Sequence, residues 1–249
     1  MRYAFRHPLQ AFRYWRAPHT LVRKLQLQLS PHELKGYLGE AAPLTRSLET
    51  KLADVKWPAG STPGASTSQD RGPVLYALVR ALRPTHVLET GVASGTSSYY
   101  LLAALAKNGS GSLDSVDLPP EAWKGTAYGE RDTVALPEQQ RTGWVVPVEL
   151  RPRWRLHLGD TKALLPGIVA GASPVDLFLH DSEHTYETMI FEYRTVWPFL
   201  RESGVLASDD VGWNRAFGDF AREHRLNPCF VGGLGFAVKP PAPKGAGSR

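Results

Sequence analysis

The sequence predicts an α/β fold: a parallel sheet covered by helices on both faces, entered through a helical N-terminal arm. Three observations predict it. From Asp70 onward, short apolar runs alternate with stretches of helical period, the pattern of parallel strands joined by crossover helices. Several of those runs end at an acid, namely Glu89, Asp117, Asp181 and Asp209-Asp210, which puts carboxylates together along one edge of the sheet. Tyr186, Met189, Ile190, Tyr193, Trp197 and Leu200 recur at i, i+3, i+4, i+7, i+11 and i+14, one continuous apolar helix face.

The elements follow in order. Residues 1–56 read as helical, with Ser30-Pro31-His32-Glu33 forming a capping box that carries proline at the first helical position. A second helical stretch runs from Leu44 to Val55. Trp57 to Ser68 is a loop of small residues, able to fold over a site and to order there when ligand binds. Helix Asp70–Leu82 leads into strand His86–Glu89, then helix Ser97–Lys107 and strand Leu113–Val116 ending at Asp117. The polar stretch 118–142 shows no period. Strand Trp154–His157 precedes helix Thr161–Val169. Strand Asp176–His180 precedes helix Ser182–Leu200. Strand Val205–Ser208, helix Trp213–His224 and strands Cys229–Val231 and Gly235–Val238 close the series. The expected organisation is an arm over 1–60, a catalytic body over 61–239 and a disordered Pro/Gly tail over 240–249.

Composition narrows the class. At 249 residues, with 42% hydrophobic and 21% charged, the chain can bury a full core, and it is neither disordered, collagen-like nor a disulfide-stapled miniprotein. A lone cysteine, Cys229, makes no internal disulfide and suits a reducing compartment, so a cytoplasmic protein is expected. No apolar run approaches the roughly 20 residues that span a bilayer. Residues 1–60 hold ten Lys/Arg against four Asp/Glu, while the remainder is nearly neutral. Arginines alternating with aromatics in this arm suit an anionic contact, but the body carries no matching basic stripe. The arm therefore reads as a cap or homo-oligomer contact, and no nucleic-acid partner is expected.

The chemistry gathers at the strand ends. Glu89-Thr-Gly91-Val-Ala93-Ser94-Gly95-Thr96 closes a strand, makes a glycine turn and opens a helix with hydroxyl residues. Gly91 and Gly95 let a ligand approach the backbone, and free N–H groups at the helix start suit a carboxylate or phosphate. The spacing is G-x-x-x-G, so the dinucleotide fingerprint G-x-G-x-x-G is absent. Asp117 can hydrogen-bond both hydroxyls of a ribose, or cap a loop. Asp160 can meet the ring or amine of the same ligand, and equally cap the helix at Thr161. Asp181, Asp209 and Asp210 converge at the carboxyl edge of neighbouring strands. Three uncompensated acids repel, and a hard cation such as Mg²⁺ would resolve the repulsion. The other reading makes one acid a helix cap and gives another a ligand amine. His184, in the first turn of its helix and off the apolar stripe, reads either as a general base near neutral pH or as a solvated histidine.

These segments resemble the class I S-adenosylmethionine-dependent methyltransferases, through VLETGVASGT from Val87, Asp117, VDLFLHDSEHTYE from Val175 and GVLASDDV from Gly204. Within that class the chain is most similar to the small-molecule O-methyltransferases that include macrocin O-methyltransferase and, more distantly, catechol O-methyltransferase. The resemblance implies a Rossmann-like, doubly wound sheet of seven strands with the last antiparallel. It also implies S-adenosylmethionine along Glu89, Gly91, Ala93, Ser94, Gly95, Thr96, Asp117 and Asp160, and Mg²⁺ at Asp181, Asp209 and Asp210. His184, from its place at the crevice, and Asp181 are the candidate catalytic residues, acting on a small hydroxylated acceptor. His184 stands where macrocin-type relatives carry other residues, and no counterpart of the catechol enzymes' lysine is evident. The alternatives are a nicotinamide-dependent oxidoreductase, which the missing third glycine disfavours, and a non-catalytic cofactor-binding protein, which the acids at the strand ends disfavour.

Overall fold

A computed structural model of the chain describes residues 17–58, 62–63, 71–122 and 134–242. The basic tip of the arm, most of the 57–69 loop and most of the tail lie outside the described residues, and with them the expectations placed on those segments. Residues 17–24 are helical, followed by α1 (Pro31–Glu40), α2 (Ala42–Ala53) and α3 (Arg71–Leu82). The body then alternates β1 (His86–Thr90), α4 (Thr96–Asn108), β2 (Ser112–Asp117), β3 (Trp154–Leu158), α5 (Thr161–Gly171), β4 (Val175–His180), α6 (Tyr186–Val196), β5 (Leu200–Ser208), α7 (Ala216–Glu223), β6 (Cys229–Val231) and β7 (Leu234–Val238).

The strands form one seven-stranded sheet in the order β3-β2-β1-β4-β5-β7-β6. All pairings from β3 to β5 are parallel, and β7 runs antiparallel to both of its neighbours. The chain order reverses between β1 and β4, and in open parallel sheets ligands lodge outside the carboxyl ends at such a reversal. A separate two-residue parallel pair joins 62–63 to 134–135, the only strand in the otherwise aperiodic 118–142 stretch among the described residues.

Strand alternation sorts the core into two layers. Val87, Leu177, Leu179, Val205 and Phe236 face α3 and α4, while Leu88, Phe178, Leu206 and Ala237 face α5, α6 and α7. Ala17, Leu21, Leu34 and Leu48 of the arm are buried in the first layer, so arm and body share one core. The expected capping box is present: Ser30 Oγ accepts from the Glu33 amide at 3.2 Å, and Glu33 Oε2 accepts from the Ser30 amide at 2.8 Å.

The clearest boundary difference is at α6. The apolar stripe predicts a helix from Ser182 to Leu200, but the helix spans Tyr186–Val196. Thr185 caps it by accepting from the Thr188 amide, which leaves 182–184 as a loop at the end of β4. At the other end Leu200 opens β5, paired with Val175 beyond an irregularity in the ladder. The helix before β6 likewise starts at Ala216 rather than Trp213, with Asn214 Oδ1 accepting from the Ala216 amide at 2.8 Å.

Candidate active site

The turn after β1 is built from backbone that ordinary residues avoid. Gly91, Ala93 and Gly95 take φ of +83°, +47° and +89°. A side chain at Gly91 would place its Cβ 2.0 Å from the carbonyl oxygen of Asp181, so glycine here lets the ends of β1 and β4 touch. At Gly95 the neighbours are Gly143 Cα at 2.8 Å and Val146 at 3.1 Å. A side chain at Gly95 would thus collide with the chain itself, so glycine here also lets residues 143–146 close on the turn. Residues 143–145 are pinned over the turn, the Gly143 amide donating to Ala93 O and the Val145 amide to Ser94 O. Within this clamp the Ser94 and Thr96 hydroxyls are buried and have no hydrogen-bond partner. Buried hydroxyls are costly to leave unpaired, so this pair is chemically suited to a polar ligand group.

Glu89 lies beneath the turn, fully buried, accepting from Ser97, Ser98 and Ser115 hydroxyls at 2.5, 2.6 and 2.7 Å. Burial raises its pKa against those three bonds. Asp117 accepts from the Ala93 amide at 2.8 Å, and burial pushes its carboxyl up to about 7 despite that bond and others from the backbone. The Gly159 amide donates to Asp117 O at 2.8 Å, which brings Asp160 beside it. Asp160 is exposed and caps α5 through the Lys162 amide.

On the far side of the reversal stand the other acids. The Asp181 amide donates to Thr90 O and the Asp209 amide to His180 O, both at 2.8 Å, so the loops leave β4 and β5 side by side. Asp181 is raised well above the usual carboxylate range by burial and by the charge of Asp209, with which its carboxyl is hydrogen-bonded. Burial also raises Asp209, against the pull of Arg71. Arg71, at the start of α3, is the residue the sequence did not announce. Its Nη1 donates to Asp209 and its Nη2 to Asp210 Oδ1 at 2.9 Å. The three acids do converge, but they are not uncompensated, and this corrects the premise on which a cation was expected. Among the described residues no three His, Cys, Asp or Glu side chains are disposed to hold a metal ion. The donor chemistry is that of a hard cation, yet two of the acids are held by a guanidinium and the third is bonded to one of them. As arranged, the acids do not fit Mg²⁺.

His184 packs 5.4 Å from His180 and 5.1 Å from Trp213, centroid to centroid. Both ring nitrogens are buried without a partner. Burial and the neighbouring His180 push its pKa down to about 4, so it is a neutral imidazole at physiological pH rather than a group titrating near neutrality. A second residue missed in the sequence is Glu192. It is fully buried on α6 and accepts from Thr90 at 2.5 Å and Ser182 at 2.7 Å, with His180 Nδ1 at 2.6 Å. Burial works to raise it, but His180 and those hydrogen bonds hold it below the ordinary carboxylate value. This network ties the ends of β1 and β4 to the loop that carries His184.

The structure therefore assembles one crevice with two walls: the Gly91–Thr96 turn with Asp117 and Asp160, and Asp181, His184, Asp209 and Asp210 with Arg71. Comparison with known proteins bears on the fold and the family. A methyltransferase domain family matches residues 88–211, which include the turn and all three clustered acids. No curated protein matches the chain. Among solved structures, the O-methyltransferase NovP superposes with a TM-score of 0.61 at 15% identity, covering 84% of this chain and 100% of that one. An S-adenosylhomocysteine-bound methyltransferase from Podospora anserina gives 0.54 at 14% identity, covering 84% and 94%. A methyltransferase from Geobacter sulfurreducens gives 0.52 at 20% identity, again covering 84% and 94%. Sheet order, crevice and family match together place this chain among the class I S-adenosylmethionine-dependent methyltransferases.

Proposed function

We propose that the protein is an O-methyltransferase that uses S-adenosylmethionine to methylate a small hydroxylated acceptor in the cytoplasm. The observation that carries this reading is the pairing, across one crevice, of the Ser94/Thr96 turn with a neutral, unpartnered His184. The turn's N–H groups and two unsatisfied hydroxyls suit the cofactor's carboxylate, Asp117 its ribose, and Asp160 the outer end of its ring. When bound, the cofactor supplies an electrophilic methyl group on positively charged sulfur.

The chain's residues then do the rest by position and proton management. The residues of the crevice would hold an acceptor hydroxyl in line with that methyl group, whose transfer to oxygen would break its bond to sulfur and release S-adenosylhomocysteine. The hydroxyl proton passes to a ring nitrogen of His184. A base with a pKa of about 4 suffices, because an oxygen gaining a third bond is a strong acid by the time the proton moves. Asp210 favours the imidazolium so formed. Asp181, raised by burial and by the charge of Asp209, fixes the cluster through its hydrogen bond to Asp209. The acids that would bind Mg²⁺ are engaged instead with Arg71 and with each other.

Calorimetric titration with S-adenosylhomocysteine and with NAD⁺ tests the cofactor. Transfer of labelled methyl to a panel of phenols, catechols and sugar hydroxyls tests the acceptor class. Binding of S-adenosylhomocysteine without NAD⁺ is expected. NAD⁺ binding without S-adenosylhomocysteine would move the protein to the oxidoreductase reading.

A further inference from the structure

We propose that Arg71 is a built-in counter-cation occupying the place of a divalent metal, so that the acid cluster of this chain works metal-free and becomes a metal site only when Arg71 is removed. The proposal deepens the reading of the crevice as catalytic, and its main test needs neither cofactor nor acceptor. All three guanidinium nitrogens are committed: Nη1 to Asp209, Nη2 to Asp210 at 2.9 Å and Nε to Gly232 O at 3.0 Å. Only a planar fork spans two carboxylates and a carbonyl at once, which a lysine would not reproduce.

The site around the fork is built to receive it. Gly233, in the tight connection between β6 and β7, takes φ of +93°, and a Cβ there would lie 2.7 Å from Arg71 Nη2. The hairpin thus leaves a side-chain-sized gap that the guanidinium fills. The antiparallel end of the sheet and the first residue of α3 are locked together through these contacts. Arg71 is raised in pKa by Asp209 and Asp210 even though burial opposes it, so it keeps its charge. The side chain is 17% exposed, which leaves little solvent to screen it. A divalent ion entering the cluster would have to displace two charge-assisted hydrogen bonds and sit beside a fixed positive charge. The other titratable groups that act on the cluster are His184, which is neutral, and Glu89, buried beneath the neighbouring turn.

Mn²⁺ serves as the probe, followed by electron paramagnetic resonance on the full chain without cofactor. The wild-type protein is expected to leave Mn²⁺ free in solution. Arg71→Met keeps the apolar volume, removes the charge and frees Asp209 and Asp210, and it should gain Mn²⁺ affinity by on the order of a hundredfold. Arg71→Lys retains a charge and should stay metal-blind. It and the wild-type titration decide the matter if Arg71→Met fails to fold. Stoichiometric Mn²⁺ binding by the wild type would overturn the proposal, as would an Arg71→Met protein that folds and binds no metal. Methyl transfer by the wild type in excess EDTA should be unchanged, and loss restored by Mg²⁺ would also overturn it. Failure of S-adenosylhomocysteine binding would strike the functional reading instead and leave the Mn²⁺ result standing.

Discussion

The two ends of the same sheet treat the same side chain in opposite ways. Toward the amino ends of the strands, Asp176 accepts from the Thr85 and His86 amides at 2.5 and 2.8 Å, from the Thr85 hydroxyl at 2.8 Å and from Arg201 at 2.8 Å. Asp114 accepts from Arg155 through two nitrogens and lies 3.0 Å from His86 Nε2 and 2.8 Å from His157 Nε2. Burial works to raise Asp114, but these partners overcome it and hold the carboxyl well below its usual range. At the carboxyl ends, Asp117, Asp181 and Asp209 are all raised. Where an acid braces the sheet it is saturated with donors. Where the crevice opens, burial outweighs the donors the acid has, and a ligand that donates to it can relieve that imbalance. Perturbation of this kind marks functional sites because evolution tolerates its cost where binding or chemistry repays it.

The largest effect expected from breaking this contrast is steric. Gly91→Ala drives a Cβ against the Asp181 carbonyl at 2.0 Å in a left-handed backbone, where two strand ends cannot part without opening the crevice. A loss of about 3–5 kcal/mol is expected in denaturant unfolding. The matching change at the opposite edge is Gly109→Ala, with φ of +78° at the end of α4 and nothing within 4 Å. It should cost about 1 kcal/mol, for backbone strain alone. Equal losses would mean that the contact of β1 with β4 is not under the constraint described.

Next is the bracing acid itself. Asp114→Ala leaves His86, His157 and Arg155 without their acceptor. Because Arg155 is 61% exposed, water recovers part of the loss, and about 2–3 kcal/mol is expected. The folded pKa of Asp114 lies below the unfolded value of about 4, so its contribution is present above that pH and fades as pH falls toward the folded value. The variant should accordingly lose its stability deficit in acid, while its affinity for S-adenosylhomocysteine at neutral pH matches wild type. A large drop in that affinity would show that the two ends of the sheet are not separable.

Much of this contrast was legible in the sequence, and the reason is local. A strand followed by glycines and hydroxyls, or by paired acids, announces a strand end whatever lies elsewhere, so Gly91, Asp117, Asp181 and Asp209 fell where expected. Arg71 did not announce itself, because its partners are 138 and 139 residues away and only the sheet order brings them together. Counting acids at an edge without that cation led to a metal. Glu192 lies off the apolar stripe, where a charged residue reads as solvent-facing, and its burial depends on His180, Thr90 and Ser182 closing around it. Likewise the N-terminal limit of α6 turned on a threonine cap, a stronger local signal than the continuing apolar period. Patterns carried by one element were readable. Charge compensation between elements was not.

The smallest effect is also the most discriminating, since it asks whether Asp117 belongs to the crevice or to the bracing class. Its folded pKa is raised to about 7 from a model-peptide value near 3.8. Between those values the folded chain holds a proton that the unfolded chain has lost, so stability falls as pH rises across that window and stays lower above it. Asp117→Asn removes the titration. Stability at about pH 8 should then be unchanged or higher by on the order of 1 kcal/mol, the loss of the acceptor for the Ala93 amide offsetting part of the gain. Binding should move the other way. Ribose hydroxyls donate to the ionised carboxylate, so wild-type affinity for S-adenosylhomocysteine should climb from about pH 6 to about pH 8. The proton released on binding below the midpoint would appear as a buffer-dependent heat in calorimetry. In Asp117→Asn the affinity should fall by about tenfold at the higher pH, and its pH dependence should flatten. A wild-type affinity already flat across that range would remove Asp117 from the ribose and make it a brace that holds the turn through its backbone amides.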